Sequence, residues 1–494
     1  MPASESSASA ITSKDSLSSA AKQSCDLLEV RRRLHHEADM VIVGAGIAGC
    51  AAAVAFGKQG RSVILLERSL KEPERIVGEL LQPGGVRALA ELGLADCLEG
   101  IDAVPCYGYQ VSYHKEPVDI PYPPTADAPE ERPEGRSFHH GRFIQKLREA
   151  AKRTPNVTIF ETRVTEVVQD THGTVLGVQA ETGEEKKKDC FFGSVTLIAD
   201  GFASEFRKIY LPNKPSVRSK FWGLELIDAD LPRPYHGHVI LSNAPPILLY
   251  QIGTHETRIL IDVPEGHPSA QPSAGGIKWH MLNVVLPELP AGCQQSFRDA
   301  VARGRLRSMP NSFLPSSIQK TPGLIIVGDA MNMRHPLTGG GMTVAFNDII
   351  LLSKLLAPDV LPSLDDTGAV VQQMRRFYWG RKHGSSVINI LAMALYALFA
   401  GEDTSLTTLK NGCFRYFQRG GRCIEEPCGM LAGLRKAPSL LIEHFFTVAF
   451  YAIWIRLCEA PLWQKPWVLV VESVVVLWKA CMVIGPYLLW EVRG

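Results

Sequence analysis

The segment Asp39-Met-Val-Ile-Val-Gly44-Ala-Gly46-Ile-Ala-Gly49 constrains this chain more than any other, because an apolar strand runs straight into Gly-x-Gly-x-x-Gly. Small residues from Cys50 to Lys58 predict a helix, and a second apolar strand, Val63 to Leu66, ends at Glu67. Gly44 allows the tight turn, Gly46 lets backbone approach a pyrophosphate, and Gly49 lets the helix pack on the strand. A pyrophosphate there meets free N–H groups and the positive end of the helix dipole. Glu67, about 20 residues past the turn, stands where an acid accepts hydrogen bonds from a ribose. Strand, turn, helix, strand and acid in register predict a dinucleotide-binding α/β unit.

Later segments choose among dinucleotides. Gly323 to Val327 reads as a buried strand ending in Gly328-Asp329, and Gly339-Gly340-Gly341-Met342 opens a helix running through Asn347 toward Leu356. The Asp329 carboxylate suits ribityl hydroxyls. Bare backbone at Gly340 and Gly341 leaves room for a flat ring, and the helix N-terminus at Met342 offers N–H groups to its pyrimidine edge. FAD is therefore the expected cofactor. No second dinucleotide fingerprint occurs, so NADPH is expected either to dock transiently or to act through another protein. There is also no G-x-S-x-G elbow and no phosphate-binding lysine loop, which removes hydrolase and kinase readings.

Bulk properties exclude further classes. Fifty-two basic and 51 acidic residues leave a net charge of +1, with no electrostatic footprint for nucleic acid. The 11 cysteines are scattered, and Cys423 and Cys428 have no companion histidine pair, so no metal site is expected. Residues 1–38, rich in Ser, Ala and charge and including Arg31-Arg32-Arg33, read as a mobile tail without a signal or spanning segment.

Between these landmarks, Arg75 to Gly85 reads as a loop entering a short helix at Pro83 that ends near Gly93, and residues 121–136 as a surface loop. His139 to Lys152 is an amphipathic helix, Val157–Val168 and Val175–Ala180 a strand pair, and Val195 to Asp200 another buried strand. From Phe221 to Val263, short apolar runs separated by Pro, Gly and Asn suggest an antiparallel meander inserted into the nucleotide fold.

The expected fold class is α/β: a Rossmann-like FAD-binding domain, discontinuous over 39–105, 137–205 and 321–375, with an antiparallel-sheet substrate domain from 106–136 and 206–320. Residues 376–494 form a helical, membrane-associated region. There, Ser385–Ala400, Leu440–Ile455 and Val468–Trp490 are apolar, but Glu443, His444, Glu472 and Lys479 interrupt the last two. Central ionisable residues cost about 2.5–3.5 kcal/mol each on insertion scales, so a hairpin in one leaflet is expected, anchored by Trp454, Trp463, Trp467 and Trp490.

Together these segments resemble the flavoprotein monooxygenases, and more closely the squalene epoxidases (squalene monooxygenases) of sterol biosynthesis, from about Asp39 to Pro486. The specific pieces are Leu70 to Gly85, Phe138-His-His-Gly-Arg142-Phe, the run Gly328-Asp-Ala-Met-Asn-Met-Arg-His-Pro-Leu-Thr-Gly-Gly-Gly-Met342, and His444-Phe-Phe. The resemblance implies FAD contacts at Ile47 and Ala48, Glu67 and Arg68 at the adenosine ribose, Arg75 near the pyrophosphate, Arg142 facing the cofactor and backbone of Val164 at adenine. It implies Tyr109 and Gln82 in the active site, orienting one another. It also implies squalene and molecular oxygen as substrates, epoxidation of a terminal double bond, and an NADPH-dependent flavoprotein reductase as electron donor. Some family members carry an N-terminal membrane helix, and none is read here, so the membrane hold is expected from the C-terminal helices. The expected location is the endoplasmic reticulum membrane, with other internal membranes or lipid droplets besides. A flavin monooxygenase acting on a prenylated secondary metabolite, a flavin-dependent isoprenoid reductase, and a non-enzymatic prenyl-binding escort remain as alternatives.

Overall fold

A computed structural model describes residues 36–125, 128–242, 245–401 and 403–492. The tail expected over 1–38, Arg31-Arg32-Arg33 included, lies almost wholly outside the described residues. The first strand, β1 (Glu37–Val43), begins two residues before the expected start. It feeds helix α1 (Ile47–Lys58), whose Ala48 to Val54 are buried without exception, so small side chains bring the helix close to its neighbours. Strand β2 (Val63–Glu67) lies parallel to β1.

Next come β3 (Leu80–Leu81), α2 (Pro83–Glu91) with Pro83 at its first position, and β4 (Val104–Cys106). Strands β5 (Gly108–Tyr113) and β6 (Glu116–Pro121) pair antiparallel. The stretch expected as loop over 121–136 ends in a strand, β7 (Gly135–Ser137), which bridges β3 and β4 in a three-stranded sheet. Helix α3 (His140–Arg153) follows. The apolar run from Val157 is not one strand of a pair. It breaks at Thr162 into β8 (Val157–Glu161), parallel to β2, and β9 (Arg163–Gln169), antiparallel to β10 (Val175–Thr182).

Strand β11 (Lys187–Ile198) serves two roles along its 12 residues. Its first half pairs antiparallel with β10, while Val195 to Ile198 lies parallel to β1 and, on the other side, to β17 (Leu324–Ile326). The result is a seven-stranded sheet whose parallel centre is buried on both faces, as its near-continuous Val, Ile and Leu require. Helix α4 (Gly341–Leu355) packs on it beside α1.

The second sheet contains β12 (Ser216–Ile227), β13 (Gly237–Leu241), β14 (Ile247–Gln251), β15 (Glu256–Pro264) and β16 (Arg307–Phe313). It is not the expected simple meander. The spatial order is β16-β12-β15-β14-β13-β5-β6, so β12 neighbours β15, and β13 lies parallel to β5. Long connections cause this: β5 and β6 come from 108–121, and β16 returns after the helix at Ala291–Arg303. Alternation explains its two buried faces. Ile247 and Leu249 pack with Phe297 of that helix, while Leu248 and Tyr250 turn to the opposite face.

The C-terminal region is a succession of helices: α5 (Thr367–Phe399), α6 (Thr404–Gln418), α7 (Arg422–Leu431), α8 (Pro438–Glu459), and a final apolar helix over Lys465–Val492. α8 and the final helix have mean hydropathies of 1.5 and 2.1 and are long and apolar enough to cross a membrane. The interrupting charges are all paired, which weakens the energetic case against insertion: Glu443 with Arg422 at 2.7 Å, Glu472 with Arg456 at 3.0 Å, and Lys479 with Asp403 at 2.6 Å. His444 lies between Tyr416 Oη (2.8 Å) and Glu426 Oε2 (2.6 Å). Trp454, Trp467, Trp478 and Trp490 stand exposed on these helices and Trp463 on the turn between them, an apolar surface suited to membrane association.

Candidate functional site

A cavity of about 900 Å³ opens between the two large sheets. One end is backbone and charge: Gly44, Gly46, Ile47, Ala48, Glu67, Arg68 and Val164. The middle carries Arg75, Asp200, Gly328 and Asp329, then Gly341, Met342 and Arg334. The far end turns apolar where the second sheet supplies Val239, Leu248, Tyr250 and Leu260 beside Tyr109, Leu337 and Met309.

The glycines show which sides of the first turn are filled by protein. Gly44 has φ +101°, and a Cβ there would sit 2.7 Å from the Ala199 carbonyl oxygen. A Cβ on Gly49 would fall 1.8 Å from the Gly44 carbonyl oxygen, so this glycine serves helix packing and does not line the cavity. A Cβ on Gly46 meets no protein atom within 4 Å, because that side faces the cavity. The Glu67 carboxylate accepts the Ala45 N–H at 2.8 Å, which fixes it at the turn. Bare backbone facing open space at a helix N-terminus is what a pyrophosphate requires.

Arg148, which sequence reasoning missed, braces this end. Its Nε donates to Ala45 O (3.0 Å), Nη1 to Lys71 O (3.0 Å), and Nη2 lies 3.5 Å from Glu67 Oε2. Periodicity held the signal: His140, Ile144 and Arg148 are four apart on α3, and all three line the cavity. The same periodicity corrects Arg142. Two residues from His140 is about 200° around a helix. Arg142 therefore points away from the cavity, 3.9 Å from Asp102 Oδ2, with Nη1 donating to Ile101 O. His140 Nδ1 lies 2.8 Å from Gly78 O, and burial followed by the nearby Arg75 pushes the imidazole down to about 4.

Arg75 sits with its guanidinium over the Phe202 ring, 5.1 Å from the centroid. Burial draws its pKa below the ordinary value, and nearby Asp329 opposes that shift. Asp200 Oδ1 is buried without a hydrogen-bond partner, as are Nε and Nη1 of Arg334. Orphaned donors and acceptors facing a cavity are groups that a ligand satisfies. Gly340 packs instead against Ile388, where a Cβ would come within 2.4 Å, and does not line the cavity.

At the apolar end Tyr109 and Gln82 do meet. Gln82 Nε2 donates to Tyr109 Oη (2.5 Å) and to Thr338 O (2.9 Å), while Gln82 Oε1 accepts from Tyr122 Oη (2.7 Å). Gln82 is wholly buried behind Tyr109, so only the tyrosine reaches the cavity. Burial pushes the Tyr109 phenol far above its ordinary value, keeping it a neutral O–H. Because Thr338 immediately precedes Gly339 to Gly341, this network fixes the turn that opens α4. Glu79, also at the cavity wall, pairs with Arg258 through two 2.8 Å hydrogen bonds. Burial works against the Arg258 charge, but attraction to Glu79 and its hydrogen bonds outweigh it, so the guanidinium is held above its ordinary value. Among the described residues no group of three or more His, Cys, Asp or Glu could hold a metal ion.

The residues present fit FAD: a backbone cradle at one end, orphaned polar atoms in the middle, and a helix N-terminus before an apolar chamber. A family model for an FAD-binding domain matches residues 39–72, and the squalene epoxidase family model matches residues 192–470. Among solved structures, a flavoprotein/dehydrogenase from Cytophaga hutchinsonii superposes with a TM-score of 0.67 at 19% identity, over 86% of this chain and 100% of that one. The p-nitrophenol 4-monooxygenase of Pseudomonas putida gives a TM-score of 0.63 at 18% identity, over 81% and 100%. Both show a common fold. The squalene epoxidase of Aspergillus fumigatus is 58% identical over 95% of this chain and 96% of its own length. The squalene monooxygenase of Mus musculus is 43% identical over 92% of this chain and 78% of its own. That of Saccharomyces cerevisiae, a squalene epoxidase, is 39% identical over 92% and 96%. With likeness of this depth along nearly its whole length, and a cavity that grades from dinucleotide cradle to apolar chamber, the chain belongs to the squalene epoxidase family.

Proposed function

We propose that this protein is an FAD-dependent monooxygenase that epoxidises a terminal double bond of squalene, giving squalene 2,3-epoxide for sterol biosynthesis. One oxygen atom of O2 enters the alkene, and the other leaves as water, taking up two electrons from NADPH and two protons, one from NADPH and one from solvent. The observation that carries this reading is the continuity of one cavity from the Gly44–Gly49 turn to the Leu248, Tyr250 and Leu260 wall. FAD, when bound, supplies the redox chemistry that activates oxygen.

The chain's own residues bind, orient and exclude water. Gly46, Ile47 and Ala48 cradle the pyrophosphate, Glu67 and Arg68 hold the adenosine ribose, and Val164 backbone faces adenine. Arg75 and Asp329 serve the pyrophosphate and ribityl chain, and Gly341 and Met342 present backbone N–H groups to the ring. Tyr109, held by Gln82, orients the site, and the apolar wall keeps water from the reacting centre. Residues 39–105, 137–205 and 321–375 carry the cofactor, and 106–136 with 206–320 wall the substrate.

Electrons come from a separate NADPH-dependent flavoprotein reductase, a reading supported by the lack of a second dinucleotide fingerprint. The C-terminal helices, 376–494, hold the protein in the endoplasmic reticulum membrane from one side, where lipid-dissolved squalene enters. The experiment is turnover of squalene by the full chain with FAD, reductase and NADPH, in air and without oxygen. Epoxide formed only in air supports the reading. Saturated product without oxygen would point to an isoprenoid reductase.

A further inference from the structure

Arg334 is a buried cation that, among the described residues, is anchored by neutral groups. It is 8% exposed, and its Nη2 donates to Asn332 O (2.8 Å) and Asn332 Oδ1 (2.9 Å). No carboxylate among the described residues lies within ion-pair distance of it, and Nε and Nη1 have no partner. Arg334 lines the large cavity, and its Nη1 lies 3.9 Å from where a Cβ of Gly341 would stand. An unpaired donor buried this deeply costs free energy unless something accepts from it.

The anchor is rigid. Asn332 Oδ1 also accepts from Arg381 Nη2 (3.0 Å) and Asn389 Nδ2 (3.2 Å), and Asn332 Nδ2 donates to Leu314 O (2.8 Å). Arg381 is in turn locked by Asp348 through bonds of 3.0 and 2.7 Å. Helix α5 thus holds the Arg334 fork at the mouth of α4, where the helix dipole is also positive. Asp329, Asp348 and Glu491 favour the Arg334 charge from a distance, Arg381 opposes it, and burial is the larger influence, drawing its pKa down.

From this geometry, and resting on the FAD reading above, we infer that Arg334 donates hydrogen bonds from Nε and Nη1 to the pyrimidine edge of the bound isoalloxazine, tuning its reduction potential. That edge offers carbonyl and ring-nitrogen acceptors, and it gains negative charge when the cofactor is reduced. A fixed guanidinium in a dry site therefore binds the reduced form more tightly than the oxidised one. Arg334 contributes to the readiness of the cofactor to accept electrons, separately from the residues that hold its adenosine half.

The test uses the full chain reconstituted with FAD, comparing wild type, Arg334→Met, Arg334→Lys and Arg142→Met. Dissociation constants for oxidised and reduced FAD and the midpoint potential are measured. Arg334→Met is expected to lose about tenfold more affinity for reduced than for oxidised FAD, which for a two-electron couple is a fall of about 30 mV. Arg334→Lys, which keeps the charge but not the fork, is expected to fall by a smaller amount, and Arg142→Met to match wild type. Equal losses for the two redox forms, with an unchanged potential, would overturn the inference and leave Arg334 a structural residue. Should Arg334→Met fail to fold, a wild-type potential in Arg334→Lys overturns it and a lowered one supports it. A wild type that binds no FAD in either redox state would instead sink the cofactor reading on which the inference rests.

Discussion

Glu79 and Arg258 form a bidentate ion pair, 2.8 Å at each of two contacts, although 179 residues separate them and both side chains are almost completely buried. The pair joins the loop leaving the first sheet to β15 of the second, across one wall of the cavity. Breaking such a pair from one side leaves an uncompensated buried charge, costing about 3–5 kcal/mol. Glu79→Gln and Arg258→Met are each expected to destabilise by that order. The double variant should cost less than the sum, read from denaturant unfolding as a double-mutant cycle.

Two glycines of one turn should separate cofactor binding from folding. A Cβ at Gly49 collides with the Gly44 carbonyl, whereas one at Gly46 enters open cavity. Gly49→Ala should therefore lower the melting temperature of the cofactor-free protein by several degrees. Gly46→Ala should leave that temperature nearly unchanged and weaken FAD by about tenfold or more, measured by fluorescence titration.

Removing the Tyr109 hydroxyl leaves Gln82 Nε2 with Thr338 O alone. An unmade buried hydrogen bond costs about 1–3 kcal/mol. Tyr109→Phe is expected to reduce kcat/KM for squalene by about tenfold while FAD content holds, with flavin absorbance per chain as the check. Loss of FAD in parallel would make Tyr109 a scaffold residue.

Three histidines give the fold an acid-sensitive window. Burial pushes His140, His238 and His280 each down to about 4 from an ordinary 6.5. Between those values the unfolded chain binds protons that the native state refuses, so stability rises with pH through that window. The protein should lose stability steadily from about pH 6.5 to pH 4, and His280→Gln should flatten part of that slope in urea melts at a series of pH values.

Much of this was legible because it is local. The Gly44–Gly49 turn, Pro83 at the start of α2 and the Gly339–Met342 turn each carry backbone demands that only certain residues meet. Helix α3 was found from its periodicity, yet Arg142 was assigned to the wrong face, since the resemblance supplied a residue where the spacing from His140 pointed to Arg148. The partners of the second sheet were hidden, because β5 and β13 pair across more than a hundred residues and nothing in either strand names the other. Glu79 and Arg258 are equally silent in sequence: each reads as an ordinary surface charge until the fold buries both.

The central claim is that one FAD lies along this cavity with its ring against the apolar chamber. Titrating purified protein with FAD, and then the complex with squalene, measures it directly through visible absorbance. The expected result is one flavin bound per chain and a shift of its absorption bands when squalene fills the neighbouring space. A protein that stays colourless, or a bound flavin whose spectrum ignores squalene, would contradict the account.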